Sequence, residues 1–167
     1  MQKLYQNLKE VKIPMNVEYI NPFIQASRSV LKTTVNMEIS VGKVYLKTAP
    51  YSSNYIAIMI GLMGKLKGQV IINMDKPMAS KIASGMMMGM PVNELDEISK
   101  SAVAEAANMI LGNAATIFYN QGIKIEITPP SLIMGENMLI STPKMKIICV
   151  PLIICSGGTI ELDIAAI

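Results

Sequence analysis

No histidine occurs anywhere in the 167 residues. That absence excludes a Ser-His-Asp or Cys-His nucleophile, an HExxH zinc site and a histidine-ligated haem, since each needs an imidazole as base or ligand. Cysteine is almost as scarce. Cys149 and Cys155 cannot complete a four-ligand zinc site alone; in Ile-rich sequence around Pro151 they read as buried free thiols, with a disulfide as the sharper alternative. Arginine is limited to Arg28, and the net charge of +3 rests on lysines spread singly along the chain. Bidentate base readout favours arginine, so nucleic acid is not an expected partner. Charged residues make up only 16% and apolar ones 51%, which excludes a disordered, solvating chain. Long apolar runs are missing too, despite a mean hydropathy of +0.39. The best window, Tyr55 to Leu66, is interrupted at Gly64-Lys65, well short of the roughly 20 residues that a membrane span requires. Met1 to Pro14 carries Lys3, Lys9, Glu10 and Lys12 and no apolar stretch, so no signal peptide is expected. The expectation is a cytoplasmic protein without a membrane span.

What is present is periodic. Asn21-Pro22 reads as a helix cap followed by a first-turn proline, and Phe23, Ala26, Val30 and Leu31 recur at helical spacing. Met37, Ile39 and Val41 alternate with polar residues, and Val44 and Leu46 resume after Gly42, which predicts strand with a bulge or turn at the glycine. Asn54 to Leu62 and Gln69 to Met74 are further β runs around the Gly64–Gly68 turn. Asp75 and Pro77 open a short helix ending near Met86-Met87-Met88-Gly89. A long helix follows, capped by Asn93, with Glu94, Asp96 and Glu97 in its first turns and Gly122 just past its end near Asn120. Ile123 to Thr128, Met138 to Ser141, Lys146 to Cys155 and Thr159 to Ile164 complete the chain as strands.

The halves resemble each other. Gly68-Gln69-Val70-Ile71-Ile72-Asn73-Met74 echoes Gly158-Thr159-Ile160-Glu161-Leu162-Asp163-Ile164, and laying Asn21 on Ser101 sets Leu31 on Leu111. The fold expected is α/β and pseudo-symmetric, with the long helices covering one face of an antiparallel sheet.

On a helical wheel the long helix has two faces. Val103, Ala106, Ala107, Ile110, Leu111, Ala114, Ile117 and Phe118 form the core arc. Glu97, Ser101, Glu105, Asn108, Gly112, Thr116 and Tyr119 form the other. Glu105 and Asn108, three apart, are neighbours there. Asparagine is a poor mid-helix residue and Gly112 costs about 1 kcal/mol relative to alanine, and both weigh against the alternative of an ordinary solvated face. Small residues beside the pair (Ala104, Gly112, Ala115) would let another protein approach closely.

Ser101-x-x-x-Glu105-x-x-Asn108, continuing Met109-Ile110-Leu111-Gly112-Asn113-Ala114, resembles the active-site helix of the CheC/CheX/FliY family of chemotaxis phosphatases. The resemblance covers roughly Met15 to the end, so residues 15–167 are expected to form one CheX-like domain and residues 1–14 an extension. It implies the pseudo-symmetric fold and hydrolysis of the aspartyl phosphate of the response regulator CheY. Asn108 would position the attacking water. Glu105 would pair with the partner's active-site lysine, and Ser101 and Gly112 would lie at the contact. The first-half equivalents are Asn21, Gln25 and Arg28, so that copy of the motif is lost, which is the CheX pattern and implies a homodimer. No cofactor is expected in this chain; Mg²⁺ belongs to the regulator. The alternative is a catalytically idle scaffold that binds a response regulator or flagellar switch component.

Other motifs read as structure. Gly61-x-x-Gly64-Lys65 has the wrong spacing for a P-loop, and Ser156-Gly157-Gly158 is a turn. Glu94, Asp96 and Glu97 are explained by a helix start. The Met86–Met88 run reads as buried helix packing, with an adaptable docking surface as the alternative.

Overall fold

A computed structural model describes residues 17–142 and 146–166, so the expected extension over residues 1–14 lies outside the described residues. After a 3₁₀ turn at Val17–Tyr19, helix α1 runs Asn21–Val35 with a proline in its first turn, where no hydrogen bond is lost. Its cap differs from the expected one: Ile20 takes the cap position with no side-chain bond, and Asn21 is already helical. Five strands follow: β1 (Ile39–Val41), β2 (Tyr45–Lys47), β3 (Tyr51–Ser52), β4 (Ile56–Gly64) and β5 (Gly68–Met74). Helix α2 (Lys76–Met86) is capped by Asp75, whose carboxylate accepts the Met78 N–H at 2.8 Å. Helix α3 (Glu97–Asn120) precedes a second set of five: β6 (Ile125–Ile127), β7 (Ser131–Met134), β8 (Leu139–Ile140), β9 (Ile147–Ile154) and β10 (Thr159–Ala166).

Eight strands form one antiparallel sheet in the order β1-β9-β10-β5-β4-β6, with β2 also on β9 and β7 also on β4; β3 pairs with β8 separately. Exchanging the first five strands for the second five maps this order onto itself. The register locates the axis. Gly68–Met74 over Gly158–Ile164 makes Ile72 equivalent to Leu162, and those two residues face each other across β5 and β10. The repeat seen in the sequence is therefore an approximate two-fold through the middle of the sheet.

The expected break at Gly42 has a specific cause. Pro151 in mid-β9 lacks an N–H, so the edge cannot be one continuous ladder there. β1 pairs with Leu152 to Ile154 and β2 with Ile147 to Cys149, while Gly42 between them donates to the Pro151 carbonyl at 2.8 Å.

All three helices lie on one face. Ile72, Met74 and Ile160 of the sheet meet Leu31 of α1, Ile82 of α2 and Val103, Ala106, Ala107 and Ile110 of α3. Phe23 and Phe118 seal α1 against α3, edge to face with centroids 5.3 Å apart, and neither exposes any surface.

The opposite face holds a polar network. Asp163 and Asn73, repeat equivalents on the two central strands, are fully buried and joined by Asn73 Nδ2 donating to Asp163 Oδ2 at 2.6 Å. Lys47 donates to the same oxygen at 3.0 Å and to Glu161 at 2.7 Å; Ser53 donates to Asn73 Oδ1 at 2.6 Å. The Lys47 ammonium also sits 4.6 Å over the Tyr51 ring. Burial opposes the Lys47 charge, but the Glu161 bond and the Asp163 charge outweigh it and raise its pKa. Burial pushes the Cys149 thiol up to about 12, and burial with the Asp163 charge raises the Tyr51 phenol. Cys149 is a buried free thiol as expected. Cys155 is free but exposed, because it falls in the turn after β9.

Two outcomes are expected. Asp163→Ala removes the acceptor shared by Lys47 and Asn73, leaves the buried Asn73 amide unpaired and Lys47 with Glu161 alone, and should lower the urea-unfolding free energy by about 3–5 kcal/mol. Cys149, Tyr51 and Lys47 all keep their protons longer folded than unfolded. Above about pH 8.5, the ordinary thiol value, the unfolded chain binds fewer protons and stability falls with rising pH. Unfolding measured from pH 7 to 11 should be flat to about 8.5 and then decline, and Cys149→Ser should move the onset toward about pH 10.

Candidate functional site on helix α3

Helix α3 is capped by Asp96, not by the expected Asn93: its carboxylate accepts the Ser99 N–H at 2.8 Å and the Ser99 hydroxyl at 2.6 Å. Of the three acidic residues expected in the first turn, Glu97 is there, Asp96 is the cap and Glu94 precedes the helix. The core arc holds. Val103, Ala106, Ala107, Ile110, Leu111, Ala114 and Phe118 are buried, and Ile117 is partly so.

Opposite them the structure brings the predicted residues together on one outward stripe. Ser101 and Glu105 are exposed, Asn108 and Gly112 half-buried. Asn108 Nδ2 lies 3.4 Å from Glu105 Oε2, a long contact that leaves both side chains free to turn toward a visitor. Gly112 is the informative residue. A Cβ added there would meet nothing within 4 Å, and its backbone needs no left-handed conformation. Nothing inside the described chain therefore accounts for a glycine in mid-helix. Its carbonyl accepts the Thr116 hydroxyl at 3.1 Å.

The stripe offers an amide that can both donate and accept, a carboxylate and open ground beside them. Ser101 and Thr116 bring hydroxyls, but with no histidine in the chain neither has the usual base. Its polar groups suit orienting a small molecule at a partner's surface.

The first-half helix presents a different set: Gln25 and Arg28 are exposed and Asn21 is half-buried. A hollow of about 360 Å³ lined by Glu18, Asn21, Gln25, Gln121 and Ile123 lies beside it. The Met86–Met88 run is not uniformly buried: Met86 packs against the core, whereas Met88 is 98% exposed in the loop after α2.

Among the described residues, one group has the character of a metal site: ligand atoms of Cys149, Glu161 and Asp163 lie within 4.8 Å of one another. The Lys47 ammonium bonds both carboxylates, so that position already has its cation. Sequence reading missed this network. Its signal was available, since Asn73 and Asp163 are polar residues at matching places in two apolar strands. No helix of the described residues is long and apolar enough to cross a membrane.

Known proteins share this architecture and sequence. A family model described as chemotaxis phosphatase CheX matches residues 56–152. The CheY-P phosphatase CheX of Thermotoga maritima is 28% identical over 128 residues, 77% of this chain and 83% of its own length. Among solved structures, the CheX of a CheX-CheY-BeF3-Mg²⁺ complex from Borrelia burgdorferi is 35% identical, with 89% of this chain and 97% of that one covered and a TM-score of 0.73. Chemotaxis protein CheX from Vibrio vulnificus is 26% identical, covering 90% and 100%, with a TM-score of 0.79. With more than half of its length matched by the family model and the fold shared nearly end to end, the chain belongs to the chemotaxis phosphatase CheX family.

Proposed function

We propose that this chain hydrolyses the aspartyl phosphate of a CheY-type response regulator, with Asn108 positioning the attacking water and Glu105 pairing with the regulator's active-site lysine. The observation that carries this reading is the outward Glu105–Asn108 pair, 3.4 Å apart, beside a mid-helix glycine that nothing in its own chain requires. The Borrelia burgdorferi relative, in complex with CheY, BeF3 and Mg²⁺, supports the choice of partner.

The chemistry suits these residues. An acyl phosphate is already activated, so hydrolysis chiefly needs a water held in line and stabilisation of the spreading charge. A carboxamide can accept a proton bond from that water and donate one toward the phosphoryl oxygens. A carboxylate in the same place would repel them. Glu105 fits a different task, placing its charge against a cation one helical turn away. The Mg²⁺ that neutralises the phosphoryl group belongs to the regulator, and this chain supplies no metal ligand to the step. Residues 15–167 act as one domain in this reading. A homodimer is part of it as well: Met63 and Ile133, 49% and 45% exposed on the sheet face away from the helices, leave apolar surface there for a second copy.

Asn108→Ala should reduce phosphate release from the phosphorylated regulator by at least a hundredfold while binding stays within a few-fold, because water positioning acts mainly in the transition state. Its unfolding curve should be unchanged, since the side chain is outside the core. Turnover equal to wild type would remove Asn108 from the mechanism.

Glu105 should behave differently. Glu105→Ala strands the regulator's lysine at the contact and should weaken association with a beryllofluoride-loaded regulator as well as slow turnover, a loss of roughly 2–5 kcal/mol if the pair is fully desolvated. Glu105→Lys should bind more weakly still, like charges then facing each other. Titration calorimetry decides this, and wild-type affinity in both variants would exclude the lysine contact.

A further inference from the structure

The Glu105–Asn108 pair occupies only the middle of a longer feature. Ile98, Ser101, Glu105, Asn108, Gly112, Thr116 and Tyr119 follow at steps of three or four, so they stack in one seam along α3 directly opposite its core arc. The seam is polar except at its ends. There it carries two large apolar side chains left in water, Ile98 at 67% exposure and Tyr119 at 70%. Of the other large apolar residues of α3, Val103, Ile110, Leu111 and Phe118 are buried, and Met109 and Ile117 are partly buried against the core. Tyr119 stands out most against its neighbour, because Phe118 is fully enclosed.

We propose that the docking face for the phosphorylated regulator is this whole seam, and that Ile98 and Tyr119 are the apolar anchors that hold the partner on either side of the reacting pair. The proposal rests on the function proposed above and extends it to what determines affinity. Ile98 lies two turns before Glu105, and Tyr119 three turns beyond Asn108, so the seam is about 31 Å long. That is the width of a standard interface patch of roughly 800 Å² per partner. A carboxylate and an amide bind strongly only once water is kept from them, since ion pairs that stay solvent-accessible contribute only about 0–1 kcal/mol. Interfaces are instead held by a few desolvated apolar or aromatic anchors, tyrosine prominent among them. Between the anchors, the open space over Gly112 lets a partner surface lie flat on the helix. The occupant is the regulator rather than a second copy of this chain, because a copy seated there would cover the residues that must face the phosphoryl group. Its matching surface has a lysine and an aspartyl phosphate at the centre and apolar residues on both flanks.

Anchors remote from the phosphoryl group bind ground state and transition state alike, so their loss falls on KM and not on kcat. The test measures phosphate release and calorimetric binding for Ile98→Ala, Ile98→Asp and Tyr119→Ala, with acetyl phosphate-charged and beryllofluoride-loaded CheY-type regulator respectively. Ile98→Asp and Tyr119→Ala should each raise KM and Kd about tenfold and leave kcat within two-fold, with Ile98→Ala intermediate; unchanged unfolding curves confirm that the fold is intact. KM and Kd within two-fold of wild type overturn the proposal. So does a fall in kcat at constant KM, or a changed oligomeric state at constant KM, which would identify a second copy as the occupant. Asn108→Ala in parallel separates the two claims. Full turnover there removes the catalytic reading, while the Kd values of the anchor variants still decide the docking face.

Discussion

The antiparallel pairing of β5 with β10 is the contact on which the rest of the molecule depends. It joins the halves at the equivalent residues Ile72 and Leu162, so each half supplies one central strand and the other strands add outward in matching order. Because side chains alternate along a strand, this one register decides which face takes the helices. Ile72 and Leu162 point into the helical core. Asn73, Glu161 and Asp163 point to the other face, where Lys47 and Ser53 bond to them and only the second oxygen of Asp163, among these groups, is left without a partner. A slip of one residue would put a carboxylate under the helices and apolar side chains into the polar network. The buried polar groups thus tie the register to a single solution, at a cost offset by several short hydrogen bonds.

The helices inherit their placement from that face. Helix α3 is held by a continuous apolar arc from Val103 to Phe118 and by the Phe23–Phe118 contact with α1. The side opposite that arc is left outside by geometry alone. The Glu105–Asn108 pair therefore sits on a rigid element, with every residue of the seam set in phase by the helix itself. This suits a role that depends on position more than on a powerful acid or base. The first-half helix, similarly placed, carries Gln25 and Arg28, so the fold offers two stages and the sequence equips one.

Much of this was legible in the sequence, for physical reasons. Helices α1 and α3 announce themselves by apolar residues at spacings of three and four, and β5 and β10 by matching runs between glycine and the next turn. The outward Glu105–Asn108 pair followed from the same wheel as the core. The misses have equally specific causes. β3 and β7 are two and four residues long, follow prolines, and exist as strands only because β8 and β4 pair with them, which no local pattern states. The α3 cap moved from Asn93 to Asp96 because several capping residues lie in succession and only the packed structure selects among them. Cys155 was grouped with Cys149 by apolar neighbours, but the strand ends one residue before it. The Lys47 network joins residues about a hundred positions apart, so only the repeat between Asn73 and Asp163 hinted at it.

The central claim is that this chain removes phosphate from a CheY-type regulator, and its most direct measurement is inorganic phosphate release from the phosphorylated regulator at rising concentrations of the wild-type chain. The account predicts release faster than the regulator's own decay, proportional to the chain at substoichiometric amounts, and continuing over many turnovers. Release that never exceeds the spontaneous rate, although the two proteins bind, would contradict it and leave a scaffold in place of a phosphatase.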